Sequence, residues 1–252
     1  MKKLCASLSV ALIALATPQI SKGQTIAQWT FENTANTAAL VLSPGANTSP
    51  GTVLADTGVN AGSSLASGLH ATAATYSTPA GNLDPTIAGL DAGSIAANVS
   101  PSLHSFSVNN WSVGDYWSFT TSTFGYTGVS VAFDQAGSST GPANFGLSYS
   151  INGGAFIQFA TYTVPLSNWN TTTAGVGSMV FAGAGAFDNA NSITFRLIDL
   201  NTTSINGGTV ATGGTDRVDN FTVVSIVPEP STLAMAALGG FTLLSLGFKR
   251  RK

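Results

Sequence analysis

The sequence predicts an all-β protein: a jelly-roll-like β-sandwich flanked by an N-terminal signal helix and a C-terminal transmembrane helix. Three observations lead there. Short apolar–polar alternations recur from Tyr116 onward, separated by Gly and Asn turns; period two is the mark of half-buried strands. No helical periodicity of useful length occurs between the two ends of the chain. Each end carries an uncharged apolar run beside basic residues, a pattern suited to a membrane rather than to a core.

Met1-Lys2-Lys3 followed by the apolar stretch 4–16 reads as a secretory signal peptide. Ser21 and Gly23 are the small residues a cut before Gln24 requires, which sets the signal at 1–23; a cut after Ala16 is the alternative. Cys5 is the only cysteine and falls inside the removed segment. The mature chain then has no disulfide and no thiol nucleophile, so packing alone must hold its core.

The domain occupies residues 24–227, long enough for one good core. Ile26 to Phe31 reads as the opening strand. Residues 33–110, rich in Ala, Gly, Ser, Thr and Pro, read as long loops with short strands, one of them near Thr52 to Leu54. Tyr116 to Phe124 is aromatic and Thr-rich; Val129, Val131 and Phe133 alternate with small or polar residues; so do Phe145, Leu147, Tyr149 and Ile151. Asn152-Gly153 then gives the strongest short hairpin signal, because both central residues must take positive φ. Phe156 to Val164 is the return strand. Ser178 to Phe181, Ser192 to Leu200 and Val218 to Val224 complete about eight to ten strands. In the last of these, spacing by two places Asp219, Phe221 and Val223 on one face. Trp29, Phe31, Trp117, Phe119, Phe145, Tyr149 and Phe195 are the expected core.

Pro228-Glu229-Pro230 breaks strand and helix alike and marks the end of the domain. The run 231–248 has no charge and, as a helix, spans roughly 27 Å, enough for a bilayer core. Lys249, Arg250, Arg251 and Lys252 stop it on the cytoplasmic side. A buried C-terminal helix is the alternative reading. The Pro-Glu-Pro string, the span and the basic end together resemble the PEP-CTERM sorting signal of bacterial exported proteins. That resemblance, over 228–252, implies that an exosortase, a membrane transpeptidase, recognises and removes the tail. Membrane anchoring would then be transient, ahead of release to the cell surface or extracellular matrix. Retention as an ordinary single-span anchor stays open.

Between residues 24 and 227 the basic residues are Arg196 and Arg217 only, against ten acidic ones, so 2 − 10 gives a net charge of −8. A lysine-free acidic domain excludes nucleic acid as a partner, since phosphate contacts need cations. It disfavours anionic lipid headgroups for the same reason.

Glu32 closes the first strand and Asp219 lies in the last, in Arg217-Val218-Asp219-Asn220-Phe221. Both pieces are similar to the edge strands of jelly-roll carbohydrate-binding modules. The resemblance implies a structural calcium ligated by Glu32 and Asp219. Loop carbonyls and Asn220 or Asp216 would complete the six to eight oxygens a hard cation wants. The other reading is that Glu32 is solvated and Asp219-Asn220 is a polar strand end. Trp111, Tyr116, Tyr126 and Trp169 are candidates for stacking on sugar rings, against plain packing.

His70 and His104, the only histidines, would have to serve any Ser-His-Asp triad. No nucleophile elbow surrounds a serine, and no carboxylate pair stands out for glycoside cleavage. The Asn-x-Ser/Thr strings need no glycan in so Asn-, Ser- and Thr-rich a chain. The expected function is therefore that of a non-catalytic exported protein of the cell surface or matrix, associated with exopolysaccharide. A carbohydrate-binding module with structural calcium is the second reading, and a polysaccharide-degrading enzyme the third.

Overall fold

A computed structural model describes residues 23–32, 53–70, 74–77, 104–166 and 177–226. The signal segment up to Lys22, the tail 228–252, Trp169 and most of 33–110 lie outside the described residues. Lys22–Val227 forms one compact unit by itself. Among the described residues no helix is long and apolar enough to cross a membrane; both predicted spans fall outside them.

Twelve strands occur among the described residues: β1 (Gly23–Trp29), β2 (Val53–Leu54), β3 (Leu65–Leu69), β4 (Thr75–Ser77), β5 (Ser105–Asn109) and β6 (Tyr116–Thr121), then β7 (Thr127–Gly137), β8 (Asn144–Ile151), β9 (Ile157–Thr163), β10 (Ser178–Ala182), β11 (Ile193–Asp199) and β12 (Thr215–Ile226). All pair antiparallel into two sheets. Sheet A runs β10-β7-β12-β5-β4, with β1 also on β12; sheet B runs β2-β3-β6-β11-β8-β9. The pairs β5–β12, β6–β11, β7–β10 and β8–β9 nest inside one another, the strand order of a jelly roll.

The sequence dictates much of this directly. Along β11, Ile193, Phe195, Leu197 and Asp199 are buried while Thr194, Arg196 and Ile198 are half-exposed. That alternation fixes the strand's inner and outer face. Asn152 and Gly153 take φ values of 52° and 75° and turn β8 into β9, as the hairpin signal requires.

Six of the seven expected aromatics and Phe221 fill the space between the sheets; Tyr149 packs half-buried against them. Phe119 of sheet B stacks on Phe221 of sheet A with ring centroids 3.8 Å apart. Trp29 meets Phe119 edge-on at 5.3 Å. Such rings supply most of the apolar burial, and their contacts add to it.

Strands β2, β3, β4 and β5 are short strands within the loop-rich stretch 33–110. The last three are Ser-rich, so their own periodicity is faint. They form because β6 and β12 offer edges to β3 and β5, and β5 in turn to β4: Ala66 pairs with Phe119, Phe106 with Val218, and Tyr76 with Phe106.

The inward faces of the sandwich also carry carboxylates, Asp199 of β11 and Asp216 of β12. Asp216 is fully buried. Its Oδ1 accepts Trp117 Nε1–H across the sheets at 2.7 Å and Gln135 Nε2–H at 3.0 Å. Tyr162 O–H donates to Gln135 Oε1 at 2.6 Å. Burial drives the Asp216 carboxyl well above the ordinary carboxylate range, against the lowering effect of the Trp117 and Gln135 donors. The network ties β6 and β9 of one sheet to β7 and β12 of the other.

Candidate functional site

Two places concentrate polar chemistry. The first is a break along β12. On one edge of that strand β5 pairs as far as Val218–Phe106, and β1 takes up at Phe221–Trp29. Asp219 and Asn220 occupy the gap. Asn220 adopts φ 53°, a left-handed conformation Asn tolerates better than most residues. The pairing with β7 shifts register between Asp219 and Thr222. This bulge corrects the one-face reading of β12. Phe221 turns into the core, while Asp219 lies on the outer side of sheet A, opposite Asp134.

Asp134 is fully buried there; it accepts Ser178 Oγ–H and, at 2.8 Å, Asn220 Nδ2–H. Burial pushes its carboxyl up to about 6, with those two donors pulling the other way. Asn220 N–H donates to Asp219 Oδ1 at 2.7 Å. The Asn220 amide oxygen is buried and has no hydrogen-bond partner.

Glu32 lies just beyond the end of β1. Asp56 Oδ2 accepts the N–H groups of Thr30 and Phe31 at 2.7 and 2.8 Å, which bends the chain as β1 ends; Phe31 has φ 56°. Glu32 then meets His104, the residue before β5. Its Oε1 accepts the His104 N–H at 2.7 Å, and its Oε2 lies 3.1 Å from His104 Nδ1. Glu32 is thus held by His104 rather than solvated. Among the described residues no group of three or more His, Cys, Asp or Glu side chains is disposed to hold a metal.

The other histidine does not join this cluster. His70 is buried between Trp111 and Trp117, with ring centroids 4.5 Å away on each side. Neither ring nitrogen has a hydrogen-bond partner, and burial lowers its pKa to about 3. It is a neutral packing residue.

The second place is the outer face of sheet B. Directly paired residues of antiparallel strands share a face, so the registers read out its rows. The central row is Ser67, Ser118, Arg196, Ser148 and Gln158 across β3, β6, β11, β8 and β9. On one side lie Leu65, Thr120, Thr194 and Ser150. On the other lie Leu69, Tyr116, Ile198 and Gly146. These rows contain no acidic residue. Five strands at about 4.8 Å spacing make the central row about 19 Å long, enough for a short oligosaccharide.

Arg196 sits at the middle of this face, its guanidinium carbon 3.9 Å from the Tyr116 ring centroid and 3.8 Å from that of Phe156. Nothing in the sequence singles out Arg196. A lone Arg in Phe195-Arg196-Leu197 looks like any outward strand residue, and only the fold brings Tyr116 and Phe156 to it. Of the aromatics proposed as sugar platforms, Trp111 is buried in the core, its Nε1–H donating to Val108 O at 3.1 Å. Tyr126 packs half-buried against that core. Tyr116 lends its face to Arg196. Trp169 lies outside the described residues.

Comparison with known proteins bears first on the tail. Residues 227–252 match the PEP-CTERM protein-sorting motif. This chain carries an exosortase sorting signal. A PEP-CTERM tail marks an exported protein, processed by a membrane enzyme.

No curated protein matches the sequence. Among solved structures the fold is similar to the CBM22-1 and GH10 modules of the Clostridium thermocellum xylanase 10B in complex with xylohexaose. That match has 17% identity, covers 51% of this chain and 23% of that one, and has a TM-score of 0.34. It is also similar to the CBM22-1 xylan-binding domain from Paenibacillus barcinonensis, at 11% identity, 49% and 73% coverage and a TM-score of 0.30. The K3 cleaved adhesin domain of the Porphyromonas gingivalis Lys-gingipain is similar at 10% identity, 52% and 77% coverage and a TM-score of 0.31. The chain spans less than a quarter of the xylanase structure.

Proposed function

We propose that this PEP-CTERM protein is a non-catalytic component of the cell surface or extracellular matrix that holds polysaccharide on the outer face of sheet B. The observation that carries the reading is the central row of that face. Ser67, Ser118, Arg196, Ser148 and Gln158 lie in line across five strands; Ser67, Arg196 and Gln158 reach solvent, Ser118 and Ser148 are buried between them, and the row carries a single cation and no carboxylate. Such a strip offers neutral hydrogen bonds and little charge, which suits a glycan better than nucleic acid or an anionic membrane. An export tail delivers the domain to where glycans are.

Affinity electrophoresis of the purified protein through gels containing different polysaccharides tests this. Saturable retardation by at least one glycan, weakened when the solvent-reaching Ser67 and Gln158 are both changed to alanine, is the expected result. Unchanged migration in every polysaccharide sinks it. Release of reducing ends from a retarding polysaccharide would favour the degradative enzyme instead.

Structural calcium is a second proposal, favoured by the buried, unpartnered amide oxygen of Asn220 in the β12 break. Asp219 and Asn220 would hold the ion with backbone carbonyls, and Glu32 would share oxygens it now offers to His104. A carboxylate has lone pairs enough for both. The ion would join the ends of β1 and β5 to β12. EDTA should then lower the melting temperature, and calcium should restore it. An identical melt in EDTA, with no calcium in the purified protein, counts against the site.

A further inference from the structure

Arg196 is one of two cations in the whole domain. Both flat faces of its guanidinium are covered, one by Tyr116 and one by Phe156. Its Nε is buried and has no hydrogen-bond partner, and no carboxylate stands against it among the described residues. Burial pulls its pKa below the ordinary arginine value, and the charge interaction with Tyr116 opposes this.

A half-buried arginine normally faces an acid, because a charge taken out of water needs a partner. Cation–π contact with two rings replaces part of the lost hydration. It does nothing for the N–H donors, which lie in the plane of the guanidinium and therefore at its edge rather than against the rings. The domain has ten acidic residues. None lies in the rows of this face, which keeps the one cation free of internal competition.

We infer that the outer face of sheet B selects a sugar bearing a carboxylate, a uronic acid unit of an acidic polysaccharide. This rests on the reading of that face as a glycan site. The planar fork of Arg196 matches a planar carboxylate with two parallel hydrogen bonds. The rings of Tyr116 and Phe156 fix the fork's plane before the ligand arrives, so little side-chain freedom is lost on binding. Ser67 and Gln158, the solvent-reaching ends of the same row, meet the hydroxyls of the neighbouring sugars. The domain's net negative charge does not forbid this. Asp134, Asp199 and Asp216 are buried, and salt screens more distant charges within about 8 Å at physiological strength.

Calorimetric titration of the purified protein with a homogalacturonan oligomer and with its fully methyl-esterified form provides the test. The ester keeps every hydroxyl and removes only the charge. The free acid should bind about tenfold tighter or more than the ester, as expected for a charge-assisted pair, with the preference shrinking at high salt. Arg196→Gln should erase the preference while leaving the melting temperature near that of the parent. Arg196→Lys should restore only part of it, since an ammonium lacks the fork. Equal affinity for acid and ester overturns the inference and leaves the glycan reading standing. Binding of neither form, or of any other polysaccharide, removes both. A sulfated oligosaccharide, or a peptide binding through its terminal carboxylate, that bound as tightly as the uronate would overturn the assignment to uronic acid. If Arg196→Gln fails to fold, the acid–ester comparison on the unaltered protein still decides.

Discussion

Replacing Asp216 by alanine is expected to lower the melting temperature by about 6–12 °C, the effect of losing about 3 kcal/mol in a domain of this size. The change leaves the Trp117 Nε1–H and a Gln135 N–H without acceptors in the middle of the sandwich. Each orphaned buried donor carries its full desolvation cost, which is larger than the net worth of the bond that was lost. The cavity adds to it. Asparagine should behave differently. Burial raises the Asp216 carboxyl well above the ordinary carboxylate range, which favours its neutral form, and a neutral carboxyl and an amide both present an acceptor and a donor. With the Gln135 amide turned over, the substituted amide can accept from Trp117 and donate to Gln135, which in turn donates to the Tyr162 oxygen. Asp216→Asn should therefore cost less than about 1 kcal/mol. If alanine and asparagine destabilise equally in urea titrations, the carboxyl is ionised in the fold and this account of the network is wrong.

The contrast between what the sequence told and what it hid follows from the range of each interaction. Strands β8 and β9 and the turn between them are written within one stretch of chain, in the Phe145 to Ile151 alternation and Asn152-Gly153. The aromatic core was legible for the same reason: large rings at alternate positions have few other places to go. Arg196, Asp216 and Asn220 were not legible as a group of special positions. Each owes its character to residues far away in sequence. Asp216 is polar at an inward position of β12, and nothing local to it reveals that Trp117 and Gln135 are waiting there. The bulge at Asn220 reverses the face of everything after it, which is why Asp219 and Phe221 part company despite their spacing. Glu32 and Asp219 were found from a short resemblance, but His104 as the residue that holds Glu32 comes only from the way β1 and β5 abut on β12.

A domain this acidic is also expected to be more stable in mild acid than at neutrality, with a maximum near pH 4–5, where its raised carboxyls hold protons that the unfolded chain has released. Burial lifts Asp134 and Asp199 from 3.8 to about 6, and lifts Asp216 well above the ordinary carboxylate range. Between those limits the folded state binds more protons than the unfolded one. The stabilisation is complete below the unfolded value and is lost as pH rises through the folded one. For Asp134 alone, about two pKa units correspond to about 3 kcal/mol. His70 acts in the opposite sense. Its pKa falls from 6.5 to about 3 on burial, so the unfolded chain gains a proton first on acidification, and stability is lost as pH falls across that window. One histidine set against three buried carboxyls cannot reverse the trend above pH 4, but it should cause the steep decline below it. Urea midpoints measured from pH 3 to pH 8 test this. Asp134→Asn should flatten the rise between neutrality and the maximum, because it deletes one of the titrating groups while keeping an oxygen for Ser178. A midpoint that climbs steadily from pH 4 to pH 8 would mean that these carboxylates are ionised and solvated in the native protein, and the buried cluster at the β12 break would have to be redrawn.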